Sequence, residues 1–375
     1  MRAPRISLCM IVRDEAENLP RALDSVKDAV DEIVVVDTGS KDESPRVAQE
    51  HGARVIHHEW KDDFSEARNR SLAEARGEWA LILDADEELQ AGSAALIRKA
   101  VSDPRAAGYQ LRLVDLDDKN RLRENLLLPR LFRLEPEIRF VNVIHEQILS
   151  SLLGFARSQA QLILSCEATL IHYGYRPAEV ERKGKKERNL RLFRKQLAAR
   201  PEDPYLWYKF ADFLRPFDEQ GAKAAIAKAF GLLSRMPSEE ARAQVYGAEV
   251  CAFHGFALLH EGRGGEALAM LKAAADRYAP TPNFAFALAC VSLKQGETET
   301  SLQAFRNCLS FGGKTLPVPV QPGITGPIAH FGIGESLRAL GRKDEAERAY
   351  RQAIALLPGY PQATRALSDL MQEKD

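Results

Sequence analysis

Short apolar runs alternate with amphipathic stretches through the first half of the chain. Ile6–Val12 is a mostly apolar run that predicts a buried strand, and Glu17–Lys27 predicts a helix with Leu19, Ala22, Leu23 and Val26 on one face. Glu32–Asp37 reads as a second strand. It runs into a turn through Thr38–Gly39–Ser40, after which Asp42 is placed to cap a helix carrying Val47 and Ala48. Arg54–His57 is a third strand, Phe64–Ala75 a helix closed by Gly77, and Trp79–Leu83 a fourth strand running into Asp84–Ala85–Asp86. Strands and helices alternating at these lengths predict an α/β domain with a mixed, mostly parallel sheet. Ligands of such sheets gather outside the carboxyl ends of the strands, where Asp37 and the Asp84/Asp86 pair fall. From about Gly108 the pattern changes to short strands and irregular loops, Tyr109–Val114, Leu126–Leu134, Arg139–Ile148 and Leu162–His172. These are expected to form one wall of a site.

Beyond about Pro177 the pattern is helical throughout. The first helix is strongly basic, with Arg182, Lys183, Lys185, Lys186, Arg188, Arg191, Arg194 and Lys195 against Glu181 and Glu187. It reads either as a solvated face joining two domains or as a contact for diphosphate or an anionic lipid head group. Self-similarity follows: Gly255 and Gly262 are echoed by Ala289 and Gly296, each 34 residues on. In Pro327–Pro358, the residues Gly334, Gly341, Ala346, Tyr350, Ala353 and Pro358 occupy positions 8, 15, 20, 24, 27 and 32 of a tetratricopeptide repeat. Small residues there let two helices approach, the bulky one fills the gap, and proline stops the second helix. Trp207 to about Leu233 reads as a degenerate first unit, and Gly312–Gly326 as a loop inserted in the array. The expected organisation is an α/β domain over 1–177, a basic linker helix over 178–202 and an all-α repeat domain over 203–375.

Composition narrows the function classes. The 375 residues are 45% apolar and 28% charged, with a net charge of −1, so no global field draws the molecule to nucleic acid. The five cysteines are odd in number, scattered and without a Cys-x-x-Cys pair, which argues against a disulfide framework and a thiolate zinc site. The apolar run at Ile6–Val12 is too short to span a bilayer and lacks the small-residue cleavage site of a signal peptide. A cytoplasmic protein without a transmembrane segment is expected.

Two aspartates separated by one residue at a strand end supply hard oxygen ligands suited to Mg²⁺ or Mn²⁺, which bridge to a diphosphate. An acidic turn opening a helix is the bland alternative. Four separated segments then coincide in order and spacing: Ile6 to Glu15 (ISLCMIVRDE), Ile33 to Asp42 (IVVVDTGSKD), Ala67 to Asn69 (ARN) and Leu83 to Asp86 (LDAD). Together they resemble the family 2 glycosyltransferases of the GT-A fold over about residues 5–175. Fusions of such domains to tetratricopeptide repeats, including bacteriocin peptide S-glycosyltransferases, are similar in plan.

The resemblance implies an inverting transferase of the hexosyltransferase class with a nucleotide-sugar donor, a UDP-sugar first among the candidates. Val12, Arg13 and Glu15 would line the nucleoside pocket, with Asp37 accepting from base or ribose and Arg68 beside base and diphosphate. Asp84, Ala85 and Asp86 would hold donor and metal, and His172 would complete the metal shell or touch the diphosphate. In Arg139–Glu146, Glu146 would be the base that deprotonates the acceptor, with His145 adjacent. Bland readings stand beside these: a turn acid for Asp37, a surface ion pair for Arg68, a structural ion pair for Glu146, a buried strand-edge histidine for His172. No Gln-x-x-Arg-Trp segment of the processive synthases is found, which argues against chain polymerisation, and no Gly-rich lysine loop near Met10–Arg13 supports nucleotidyl transfer. The repeat array would hold a peptide, protein or saccharide acceptor, or serve homo-oligomerisation or support. A different class of function remains, a repeat-based adaptor whose transferase domain is catalytically silent.

Overall fold

The computed structural model describes residues 3–116, 122–173, 185–314 and 318–373. The chain divides into two compact units, Met1–Ala199 with Thr315–Pro319, and Arg200–Lys314 with Val320–Asp375. The first unit is built on one mixed eight-stranded sheet. Its strands are β1 (Ile6–Val12), β2 (Glu32–Asp37), β3 (Arg54–His57), β4 (Trp79–Ile82), β5 (Glu87–Leu89), β6 (Ala106–Leu116), β7 (Leu122–Arg133) and β8 (Leu162–His172). They lie in the order β3-β2-β1-β4-β7-β6-β8-β5. The first four pair in parallel, as crossover helices between successive strands require, whereas β7 runs antiparallel to both β4 and β6.

Helices α1 (Leu19–Val26), α2 (Ser44–Glu50), α3 (Phe64–Glu74), α4 (Ser93–Ala100) and α5 (Leu149–Ser158) accompany the sheet. The apolar face expected for α1 is the one buried, with Leu19, Ala22, Leu23 and Val26 almost wholly out of solvent in the same core as Ile6, Leu8, Met10 and Leu81. Asp63 caps α3 by accepting from Glu66 N. The N-cap of α2 is Glu43, while Asp42 accepts from the Ser44 backbone two residues on.

Three departures from the sequence pattern have physical reasons. Strand β4 ends at Ile82, and Ala85–Asp86 form a turn closed by Glu87 N donating to Asp84 O, before β5 pairs with β8. Asp84 and Asp86 are therefore oriented by this turn and not by an extended strand end. Arg139–Ile148 holds only a single bridge, Val141 to Gln147, because Asn142 and His145 adopt φ of 80° and 51°, a left-handed conformation that breaks an extended run. Pro129 lies inside β7 with no N–H to donate, and the register with β6 slips between Tyr109 and Gln110 as a bulge.

The basic helix, α6 (Lys185–Ala199), groups with the first unit. Arg182 and Lys183 lie outside the described residues. Gln196 Oε1 accepts from Ile144 N at 3.1 Å, and the Phe193 ring lies 5.3 Å from that of His145. The helix thus clamps the segment that carries Glu146.

The second unit is all-α. Its helices include α7 (Pro204–Leu214), α8 (Glu219–Arg235), α9 (Ser238–Arg242), α10 (Gly247–His260), α11 (Gly264–Ala275), α12 (Pro282–Lys294), α13 (Thr298–Leu309), α14 (Pro327–Ala339), α15 (Lys343–Leu356) and α16 (Pro361–Gln372). The repeat chemistry holds: a Cβ on Gly334 would collide with the fully buried Tyr350 ring, and one on Gly255 would meet Leu271 at 3.0 Å. All five cysteines are free. Among the described residues no helix is long and apolar enough to cross a membrane.

Candidate active site

The first unit holds a cleft of about 950 Å³ at the carboxyl ends of β1 and β4. Val12, Arg13, Asp14 and Glu15 reach it from the loop after β1, and Thr38, Lys41 and Asp42 from the loop after β2. Trp60, Phe64 and Arg68 come from in front of and along α3, Asp84–Asp86 from the turn after β4. Ile144, His145 and Glu146 approach from the Arg139–Ile148 loop, His172 from the end of β8, and Arg188, Asn189 and Arg191 from α6.

The two nucleotide-side loops are stitched together by polar contacts. Thr38 Oγ1 donates to Val12 O, Asp14 Oδ1 accepts from Lys41 N, and Ser44 Oγ accepts from Glu15 N. Asp37 lies behind this seam, 3% exposed and outside the cleft lining. Its carboxylate accepts from Gly39 N and Ser40 N and sits 3.3 Å from His57 Nδ1. The structure thus gathers every residue expected at the site except Asp37, which shapes the loop beneath it.

The cleft floor is a charge network. Arg68, 8% exposed, donates from Nε to Glu146 Oε1 and from Nη2 to Asp84 Oδ1, both at 2.6 Å. Arg130 donates from Nη2 to Asp84 Oδ2 at 3.3 Å and to Glu87 Oε1 at 2.6 Å, and Glu87 Oε2 accepts from Asp84 N. Burial opposes the charge on Asp84, yet Arg68 and Arg130 hold its carboxyl well below the ordinary range. Three carboxylates share two guanidiniums, and the least exposed is the one that yields. Burial pushes Glu87 up to about 7 despite Arg130. Asn69 fastens the neighbouring segment, donating to Phe140 O and accepting from Phe140 N.

Arg130 and Glu87 were not singled out from the sequence. A signal existed, because Arg130 interrupts the run Leu126-Leu127-Leu128-Pro129-Arg130-Leu131-Phe132, and a cation inside an apolar strand must be paired. Replacing Arg68 with leucine would leave Asp84 and Glu146 without their shared cation. Urea unfolding should show a loss of about 3 kcal/mol, the low end for removing one partner of a buried pair because Asp84 stays 31% exposed. A loss below about 1 kcal/mol would contradict the bridging role.

His172 stands at the other side of the turn, its Nδ1 2.9 Å from Asp115 Oδ1 and its Nε2 3.5 Å from Asp86 Oδ2. Although burial works to lower its pKa, these carboxylates push it up to about 10. Among the described residues no group of three or more His, Cys, Asp or Glu side chains stands ready to hold an ion. The reason is local: Asp84 is taken by two arginines and His172 by two acids. The donor set still suits a hard divalent cation of the kind that takes one or two carboxylates and completes its shell with substrate phosphates and water.

An eight-stranded α/β unit with an acidic cleft at its strand ends, joined to a helical repeat unit, is the class that fold and site define. The glycosyl transferase family 2 model matches residues 7–151, and a tetratricopeptide repeat model matches residues 327–360. The first unit is therefore similar to the family 2 glycosyl transferases over residues 7–151, and the second to a tetratricopeptide repeat over residues 327–360. A TPR repeat-containing protein of Synechococcus elongatus is 42% identical over 212 residues, covering 56% of this chain and 52% of that one. The SPbeta prophage-derived glycosyltransferase SunS of Bacillus subtilis is 27% identical over 229 residues, covering 58% and 50%. The chain spans about half the length of these curated relatives. The solved Cut9–Hcn1 assembly matches 52% of this chain and 35% of that one at 18% identity, with a TM-score of 0.40.

Proposed function

We propose that the protein is an inverting, metal-dependent glycosyltransferase that moves a hexose from a nucleotide-diphosphate donor, a UDP-sugar first among them, to a peptide, protein or saccharide acceptor. The observation that carries this reading is the convergence of Asp84, Asp86, His172 and Glu146, from three separate parts of the chain, on one cleft. The family match and the relative named as a glycosyltransferase support it.

In this reading Val12, Arg13 and Glu15 seat the nucleoside, and Asp37 acts through the loop it folds. Asp86, with His172 beside it and Asp84 behind, would hold Mg²⁺ or Mn²⁺ against the donor. The cation, when bound, neutralises charge on the departing diphosphate. Glu146 takes the acceptor's proton on Oε2, the oxygen that Arg68 does not engage, as the acceptor atom bonds to the anomeric carbon and the bond to the diphosphate breaks. Arg68 is a positioning residue that ties this base to Asp84. The repeat unit recruits the acceptor, and a catalytically silent adaptor would have no need to keep Asp86 and Glu146 on the cleft.

Mass spectrometry of cell extract incubated with the enzyme, Mn²⁺ and a panel of isotopically labelled nucleotide sugars tests the reading. A labelled hexose on a macromolecule or saccharide, from one donor and only with the intact protein, is expected. No incorporation from any donor would defeat it.

A further inference from the structure

The cleft has a positive wall that the acceptor chemistry leaves unused. It is supplied by α6, which lies beyond the 7–151 match, together with the loop after β1. Two of its guanidiniums already face carboxylates: Arg191 donates to Asp62 Oδ1 at 2.7 Å, and Arg13 lies 4.0 Å from Asp14. Arg188 differs. It is half-buried, its guanidinium lies 5.2 Å above the Phe64 ring, and Nε and Nη2 donate only to the neutral Asn189 Oδ1, at 3.2 and 3.1 Å. Among the described residues it forms no ion pair. Burial lowers its pKa, and the charges of Arg13 and Arg191 lower it further. A cation withdrawn from water beside two like charges is unfavourable until an anion arrives.

We propose that Arg188, with Arg13 on the same wall, grips the diphosphate of the nucleotide donor. This rests on the donor reading of the cleft given above. A guanidinium presents a fork of N–H donors that matches phosphate oxygens two at a time, and the Phe64 face fixes its plane. Arg13 sits on the loop that seats the nucleoside, which places the pair on the donor side. An anionic lipid surface is disfavoured, because the two guanidiniums line a concave cleft that a flat bilayer does not enter. The diphosphate is then held between this wall and the acidic turn.

Calorimetric titration of the full chain, with Mn²⁺ present, with inorganic pyrophosphate, UDP, GDP, TDP and uridine tests the assignment, using Arg188→Ala, Arg188→Lys and, as a surface control, Arg46→Ala. Arg188→Ala should weaken pyrophosphate and UDP about 10- to 100-fold, with uridine affinity and melting temperature unchanged. Arg188→Lys should fall between, since charge is kept and the fork lost, and Arg46→Ala should match the wild type. Wild-type affinity for UDP in a correctly folded Arg188→Ala protein overturns the clamp and leaves the donor reading standing. Pyrophosphate binding that needs Arg188, with no binding of UDP, GDP or TDP, supports the anion clamp and overturns the donor reading. Co-sedimentation with phosphatidylglycerol vesicles that depends on Arg188, in a protein that binds no pyrophosphate, overturns the proposal in favour of a membrane.

Discussion

Glu146→Gln is expected to lower turnover by about 10²- to 10⁴-fold, the range for removing a general base, while leaving affinity for the donor nucleotide near its wild-type value. Glutamine matches the shape of the side chain and keeps an oxygen to accept from Arg68 Nε, now 2.6 Å away. What it lacks is the capacity to take the acceptor's proton. Single-turnover transfer rates and UDP affinity, measured on the same preparation, separate the two effects. Loss of UDP binding together with turnover would show that Glu146 serves the fold through Arg68 and is not the base. Unchanged turnover would remove it from the chemistry altogether.

The nucleotide half of the site was legible in the sequence because its signals are local. Short apolar runs and period-3.6 patterns placed β1 to β4 and the intervening helices within a few residues, and strand ends located Asp37 and Asp84–Asp86. The repeat was legible for the same reason, since Gly334 and Tyr350 meet across a single hairpin. The rest depends on long-range contacts. Arg68 reads as a residue beside base and diphosphate until Glu146, 78 positions away, and Asp84 are seen to share it. Three-residue β5 has too short a pattern to stand out, and α5 was hidden because its segment follows a loop with two left-handed residues. Asp37 illustrates the opposite case: a strand-end acid correctly located, whose carboxylate turns to its own backbone because the loop after β2 leaves N–H groups within reach. The basic helix could be read from charge as a solvated face or an anion contact. Only the fold shows that Arg188 and Arg191 line a cleft while Lys195 donates to the backbone oxygens of Lys61 and Asp62.

Asp86→Asn is the second change of large expected effect. Asp84 is already neutralised by Arg68 and Arg130, so Asp86 is the acid on the turn best placed to share a cation with donor phosphates. Asparagine keeps an oxygen but loses the charge, and affinity for UDP in the presence of Mn²⁺ should fall at least about 100-fold. The change leaves the Arg68 network intact and removes one of the two carboxylates facing His172, so melting temperature should fall only slightly. Without the cation, no metal charge stands between the diphosphate and the acidic turn, and binding in EDTA should be weak for both proteins.

Calorimetric titration of UDP into the wild-type protein, with Mn²⁺ in excess and again in EDTA, decides whether the turn after β4 holds a cation against the donor. Tight binding with the ion, its loss on chelation, and no gain from Mn²⁺ in Asp86→Asn are expected. Equal affinity with and without the ion, or an undiminished Mn²⁺ effect in Asp86→Asn, would show that the turn holds none.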